Sequence, residues 1–222
     1  MRLFITEVTE MSAGNYCVAG WDAQAQRMIR PLPNGQNWTS ALLQQHAVTP
    51  GAAIDVFNNG HVHNGMYPHS TEDTPINTAT IQHIAPAQAR WFGVGAPPVG
   101  GSVQLAFGGH VAHNSVWNGA LQGVFVPVGT QVGSLAAISL DRGQIDFVDE
   151  FGKLKALVND GQFTYKLAVS SLALKSAWGQ GGIPAVIHAL PNAGQVHVRL
   201  GLARAFDMPA HKCYMMVNGV NW

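Results

Sequence analysis

Apolar and polar residues alternate over many short stretches of this chain, which is the period-two pattern of half-buried β-strands. The first three stretches, at residues 3–8, 16–21 and 27–31, are separated by short polar turns and predict a meander. Strand-like stretches return in the second half of the chain at a density typical of a barrel or a sandwich. They cover residues 102–107, 123–128, 134–140, 144–148, 153–158, 162–169, 195–202 and 212–217.

The pattern between these two groups is more varied. A short helix is predicted at 38–46, a strand at 52–57, and helical spacing at 81–91. The polar segment 61–77 predicts an exposed loop with a short edge strand. Residues 93–101 read Gly-Val-Gly-Ala-Pro-Pro-Val-Gly-Gly, the most linker-like stretch present. We therefore expect a mainly β protein with a few short helices, divided into halves at 1–100 and 101–222.

Composition narrows the function classes. The 222 residues include 12 Lys+Arg and 12 Asp+Glu, so the formal net charge is zero and attraction to a polyanion requires a local patch. The two cysteines are far apart, which argues against a disulfide scaffold. The first ten residues alternate instead of forming the apolar stretch of a signal peptide, and no apolar window is long enough to span a membrane. We expect a cytoplasmic protein with no membrane partner.

Several short motifs resemble a known family when they are taken in their order along the chain. They are the opening strand 3–11, Ile29-Arg30-Pro31, Pro68-His69-Ser70-Thr71-Glu72-Asp73, Tyr165-Lys166-Leu167-Ala168-Val169 and the segment 198–206. Together they resemble the dual OB-containing domain family of prokaryotic proteins, which is associated with defence loci and mobile elements. One departure is Ser170-Ser171, where the family pattern has a Thr-Asp pair. The resemblance implies two consecutive OB-like β-barrels and nucleic-acid binding, and it supplies no catalytic residues.

Binding of a single strand by an OB barrel requires cations for the phosphates and aromatic rings for the bases. The candidate phosphate contacts are Arg30, His69, Arg199 and Arg204, and the candidate stacking residues are Trp38 and Trp117. Trp38 and Trp117 have polar neighbours, so we expect them to be exposed. The alternative is structural: each arginine pairs with a carboxylate such as Glu72 or Asp73, and each tryptophan packs in a core.

Histidines and acids between residues 61 and 73 leave an enzymatic alternative open. His61, His63 and His69 could bind a metal ion, since imidazole is a common ligand. His69 with Glu72 and Asp73 could instead act as an oriented general base. The chain has no Gly-x-Ser-x-Gly motif and no phosphate-binding Gly-Lys-Ser/Thr motif.

The favoured hypothesis is a non-catalytic module, without a cofactor, that binds nucleic acid or a nucleotide in a groove between its two halves. One alternative is a metal-dependent or His-dependent hydrolase acting on a phosphodiester or a nucleotide. The other is a protein–protein interaction module, because exposed edge strands can pair with a partner chain.

Overall fold

A computed structural model describes residues 1–58, 67–84, 100–190, 192–205 and 211–221. The chain divides into two compact units, Met1–Pro97 (unit 1) and Pro98–Trp222 (unit 2), and each is described by itself. Strands dominate both units, which confirms the prediction of a mainly β protein with a few helices. Within the described residues no helix combines the length and the apolar character needed to cross a bilayer.

Unit 1 contains a closed barrel. Its elements are β1 (Arg2–Glu10), β2 (Asn15–Asp22), β3 (Arg27–Pro33), β4 (Trp38–Thr39), α1 (Ser40–Gln45), β5 (Ala53–Asn58) and β6 (Asp73–His83). β1 pairs with both β2 and β5, β2 pairs with β3, β3 runs parallel to β6, and β6 returns to β5. The five strands β1, β2, β3, β5 and β6 thus form a closed barrel. α1 lies between its third and fourth strands, β3 and β5, and this is the strand order of an OB barrel.

Barrel closure depends on the first strand pairing on both of its edges. The register of β1 against β2 shifts between Ile5 and Glu7, and such a bulge bends a strand so that it can serve two neighbours. β2 comes very close to β1 at Gly20, where a Cβ atom would lie 2.7 Å from the carbonyl oxygen of Phe4. Leu3, Ile5 and other fully buried apolar side chains fill the inside of the barrel.

Unit 2 repeats the same strand order with additions. Its elements are α2 (Val103–Ala106), β7 (Ser115–Trp117), β8 (Ala120–Gln122), β9 (Phe125–Pro127), β10 (Leu135–Asp141), β11 (Ile145–Asp149), β12 (Leu154–Asn159), β13 (Thr164–Val169), α3 (Leu172–Ala189), β14 (Gln195–Leu202) and β15 (Lys212–Asn221). The path β11-β12-β13-β15-β14-β10 is hydrogen-bonded throughout, with a parallel step from β13 to β15.

The two ends of that path belong to one bent strand. A 3-10 turn at Arg142–Gln144 separates β10, which pairs with β14, from β11, which pairs with β12. β10 and β11 together therefore correspond to β1 of unit 1, since one pairs with the fourth barrel strand, β14, and the other with the second, β12. α3 lies between the third and the fourth barrel strands, β13 and β14. The prediction of two consecutive OB-like barrels is confirmed.

Two local predictions are wrong, and one helix was missed. Residues 102–107 form the short helix α2 instead of a strand, because the Ser102 side chain caps the amide of Leu105 and Asp160 accepts the amide of Val103. Residues 81–83 continue the long strand β6, while 85–91 lie outside the described residues. α3 was not predicted, because Gly181, Gly182 and Pro184 interrupt its helical pattern.

Candidate functional site

The outer face of β12 and β13 in unit 2 carries a group of lysines. Side chains on these strands alternate between the barrel interior and the outside, with Leu154, Ala156 and Val158 buried. Lys155 and Lys166 occupy outward positions on β12 and β13, and Lys153 is exposed immediately before β12. Because β12 and β13 pair directly, these ammonium groups are held on one surface.

Lys166 supports an aromatic ring on this surface. Its Nζ lies 4.6 Å from the centre of the Trp117 ring, a cation–π arrangement, and it also forms an ion pair with the carboxylate of Glu150. Only 7% of the Lys166 side chain is exposed, whereas Trp117 is 57% exposed. Lys166 therefore fixes the orientation of the Trp117 ring while the indole keeps a large accessible surface.

Burial and the neighbouring charges shift the pKa of Lys155. Burial lowers the pKa of Lys155, the charges of Lys153 and Lys166 lower that pKa further, and Glu150 opposes the shift. The hydrogen bond from Lys166 is the main cause that lowers the pKa of Glu150. A phosphate near Lys153 and Lys155 would relieve this repulsion, since it would add the negative charge that Glu150 supplies only in part.

Large aromatic side chains project from the turns beside this face. Phe151, between β11 and β12, is 98% exposed, and Phe163, before β13, is also exposed. Arg204 is exposed just after β14, in the connection between the fourth and fifth barrel strands of unit 2. Aromatic rings beside cationic side chains are the combination that binds bases and phosphates of single strands.

The predicted phosphate contacts of unit 1 are buried. Arg30 forms an ion pair with Glu72 across 3.9 Å, and the amides of Glu72 and Asp73 both donate to the carbonyl oxygen of His69, at 3.3 and 3.4 Å. Arg30, His69, Glu72 and Asp73 are all among the buried polar residues. The sequence alternative in which Arg30 pairs with a carboxylate is confirmed for Glu72. Because His69, Glu72 and Asp73 are buried, they expose almost no surface that a substrate could contact.

Trp38 and Arg199, two further ligand-binding candidates from the sequence, are buried. Trp38 is 0% exposed and its Nε1 donates to the carbonyl oxygen of Pro31 at 2.7 Å, so the expectation that Trp38 is exposed is wrong. Its polar neighbours in sequence misled the prediction because β4 turns the indole away from solvent. Arg199 is 1% exposed on β14. Trp38 and Arg199 therefore have almost no accessible surface with which to contact a ligand.

The remaining candidates divide by exposure and by position. Trp117 is exposed, as expected, and so is Arg204. His61 and His63 lie outside the described residues. Among the residues that are described, no group of three His, Cys, Asp or Glu side chains is arranged to hold a metal ion.

Sequence reasoning missed Lys153, Lys155, Lys166 and Phe151. A signal for them was present, since the segment Glu150-Phe151-Gly152-Lys153-Leu154-Lys155 places two lysines on alternate positions directly after a Phe-Gly pair. Alternation on a strand puts both lysines on the same side, and a hydrophobic residue in a turn is exposed. The prediction favoured arginines instead, and two of them, Arg30 and Arg199, are buried.

Comparisons with known proteins add no argument to the geometry. No protein family matches the chain, and no curated protein does. Among solved structures, the crystal structure of the p204 HINb domain aligns over 98% of this chain and 95% of its own, with 12% sequence identity and a TM-score of 0.33. A similarity at this level supports no conclusion about function.

Proposed function

We propose that this chain is a non-catalytic module that binds single-stranded nucleic acid on the outer face of β12 and β13. The observation that carries the proposal is the Trp117 ring, held on Lys166 beside Lys153 and Lys155. In an OB barrel, the face made by the second and third strands is a common binding surface for oligonucleotides, and β12 and β13 are those strands in unit 2. Arg204, one of the phosphate contacts predicted from the sequence, adds a cation in the loop between the last two barrel strands.

The proposal requires no net positive charge. Twelve basic and twelve acidic residues cancel over the chain, but Lys155 lies close enough to Lys153 and Lys166 for their charges to lower its pKa, and these side chains make a local basic patch. A nucleic acid that binds so small a patch releases few counterions. We therefore expect an affinity that is low at physiological salt and that falls moderately as the salt concentration rises. Stacking on aromatic rings would supply the part of the affinity that salt does not change.

A binding titration with two double variants tests the proposal. Labelled single-stranded DNA, single-stranded RNA and duplex DNA are titrated at low and at physiological salt with wild type, Lys153→Ala/Lys155→Ala and Arg2→Ala/Arg142→Ala. The second pair is a charge-matched control. Arg2 pairs with Asp55 in unit 1. Arg142 lies in the 3-10 turn before β11, whereas Phe151 follows the other end of that strand.

We expect the lysine variant to lose at least tenfold in affinity for single strands and to have a shallower salt dependence, because each lost phosphate contact reduces the salt slope by about one. The arginine control should bind like wild type. Equal losses in both variants would mean that only the net charge matters. Absence of binding to all three polymers at low salt would contradict the proposal.

The finer assignments from the sequence belong to the same proposal. The two OB strand orders are consistent with the dual OB-containing domain resemblance, and we propose membership of that family with its association with prokaryotic defence and a cytoplasmic location. The buried set of His69, Glu72 and Asp73 gives no support to the hydrolase alternative, so we do not propose it.

A further inference from the structure

The turn between β11 and β12 has an unusual residue at its tip. The amides of Glu150 and Lys153 donate to each other's carbonyl oxygens at 3.0 and 3.1 Å, so only Phe151 and Gly152 form the loop. Their φ angles are +53° and +70°. Two positive φ angles in a two-residue hairpin loop define a type I′ turn, for which Asn-Gly is the preferred pair. A bulky aromatic residue with a positive φ is a conformational outlier.

The same unit contains the preferred sequence in an equivalent turn. β7 and β8 are joined by Asn118 and Gly119, with φ angles of +48° and +77°, and the flanking pair is Trp117 with Ala120. The chain therefore uses Asn-Gly in one two-residue turn of unit 2 with two positive φ angles and Phe-Gly in another. Asparagine adopts this conformation at lower cost than phenylalanine, so Phe151 is not the choice that folding favours.

Phe151 gains nothing in the free protein that offsets this cost. The ring is 98% exposed, so it makes no apolar contact that would stabilise the fold. The backbone of the turn is held by the Asp149 carboxylate, which accepts a hydrogen bond from the amide of Gly152 at 2.9 Å. An exposed aromatic residue that keeps an unfavourable backbone conformation is typical of a binding contact.

The turn also lies next to the proposed binding face. Glu150, the residue before Phe151, forms the ion pair with Lys166, and Lys166 carries the Trp117 ring. Lys153 follows the turn directly. Phe151 is thus preceded by Glu150, which pairs with the lysine that holds the Trp117 ring, and the turn is followed by Lys153, one of the proposed phosphate contacts.

We propose that Phe151 stacks on an unpaired base, so that this face distinguishes a single strand with bases from a polyanion without them. The inference rests on the proposed function and adds which part of the ligand is recognised. A duplex hides its base faces, and an abasic strand lacks them. Both should therefore lose the contribution of Phe151 while they keep the contacts of their phosphates with the lysines.

Phe151→Asn is the natural test, because it gives this turn the sequence of the Asn118-Gly119 turn. Binding is measured for wild type, Phe151→Asn and Phe151→Trp against an oligothymidylate and an abasic strand of equal length. We expect wild type to bind the oligothymidylate about tenfold more tightly than the abasic strand. Phe151→Asn should lose most of that difference, with the part supplied by Trp117 remaining, and should keep its affinity for the abasic strand. Phe151→Trp should retain the full preference. The melting temperature of Phe151→Asn should be higher than that of wild type.

The outcomes separate the two proposals. If Phe151→Asn binds both strands like wild type while Lys153→Ala/Lys155→Ala loses affinity, the lysine face stands and the stacking role of Phe151 is wrong. A melting temperature lowered by Phe151→Asn would contradict the strain on which the inference rests. If wild type binds neither strand, the proposed function fails together with the inference.

Discussion

Replacement of Trp38 by phenylalanine tests whether this indole belongs to the core of unit 1 or to a binding surface. The side chain has no exposed surface and its Nε1 donates to the Pro31 carbonyl oxygen at 2.7 Å. Its backbone pairs with Tyr16 of β2, so the ring is held where β4 leads into α1. A phenylalanine side chain would keep an aromatic ring at this position but would lose the N–H group and part of the packed volume.

The expected cost has two parts. A buried carbonyl oxygen left without its donor costs about 1–3 kcal/mol, and Pro31 is itself buried. The smaller ring leaves a cavity whose cost is a fraction of the roughly 3–5 kcal/mol measured for Trp→Ala. We therefore expect Trp38→Phe to lower the free energy of unfolding of unit 1 by about 2–4 kcal/mol, a large share of the roughly 5–15 kcal/mol typical of a whole protein.

Urea unfolding followed by circular dichroism measures the loss, and hydrogen–deuterium exchange of peptides from β2 and β3 assigns it to unit 1. Affinity for single strands should stay at the wild-type value under conditions where the variant is folded. A matched Trp117→Ala variant should show the reverse, with a stability change within about 0.5 kcal/mol and weaker binding. If Trp38→Phe unfolded like wild type and lost binding, the indole would be a ligand contact and our reasoning from burial would be refuted.

Three other perturbations have defined outcomes. Gly201→Ala places a Cβ atom 2.8 Å from Cγ of Asn218, whose Oδ1 accepts a hydrogen bond from Ser170 at 2.7 Å, so urea unfolding should show a loss of about 2–4 kcal/mol; an unchanged midpoint would mean that Asn218 can move freely. Asp160→Ala leaves the amides of Val103, Gln162 and Phe163 without their acceptor, and we expect a loss of about 2–4 kcal/mol with faster exchange at the amide of Val103. Burial, reinforced by the charge of Arg199, lowers the pKa of His197, so below its ordinary pKa the unfolded chain binds a proton that the folded chain does not. The free energy of unfolding should therefore fall as the pH drops from 7 towards 5, and His197→Gln should flatten that slope in urea titrations; an equal slope in the variant would exclude His197 as the cause.

Strand positions could be predicted from sequence better than the site. The alternation at residues 153–158 and 162–169 locates β12 and β13 because one side of each strand faces the barrel interior. The same alternation cannot say which cations remain accessible, since that depends on what covers the outer side. Arg30 and Arg199 are on strands like Lys155, and their burial follows from tertiary packing that no local pattern contains.

α3 shows the opposite limit. Its 18 residues include Gly179, Gly181, Gly182 and Pro184, which locally favour a break over a helix. Gly181 and Gly182 do leave helical geometry, so the local signal was correct at that point. Only the position of the segment between the third and fourth barrel strands identifies it as the helix of an OB order, and that position is known only after the strands have been paired.

The bent first strand of unit 2 has a consequence for the order of folding. β11, β12 and β13 are joined by short turns, so their pairing closes only small loops, whereas β10 must find β14, for example Leu135 opposite Gly201. Loop-closure entropy therefore favours early formation of the three-stranded meander, and the 3-10 turn at Arg142–Gln144 lets β10 remain unpaired until β14 arrives. Pulsed hydrogen exchange during refolding should protect the amides of β12 and β13 before those of β10, and simultaneous protection would show that the barrel closes in one step.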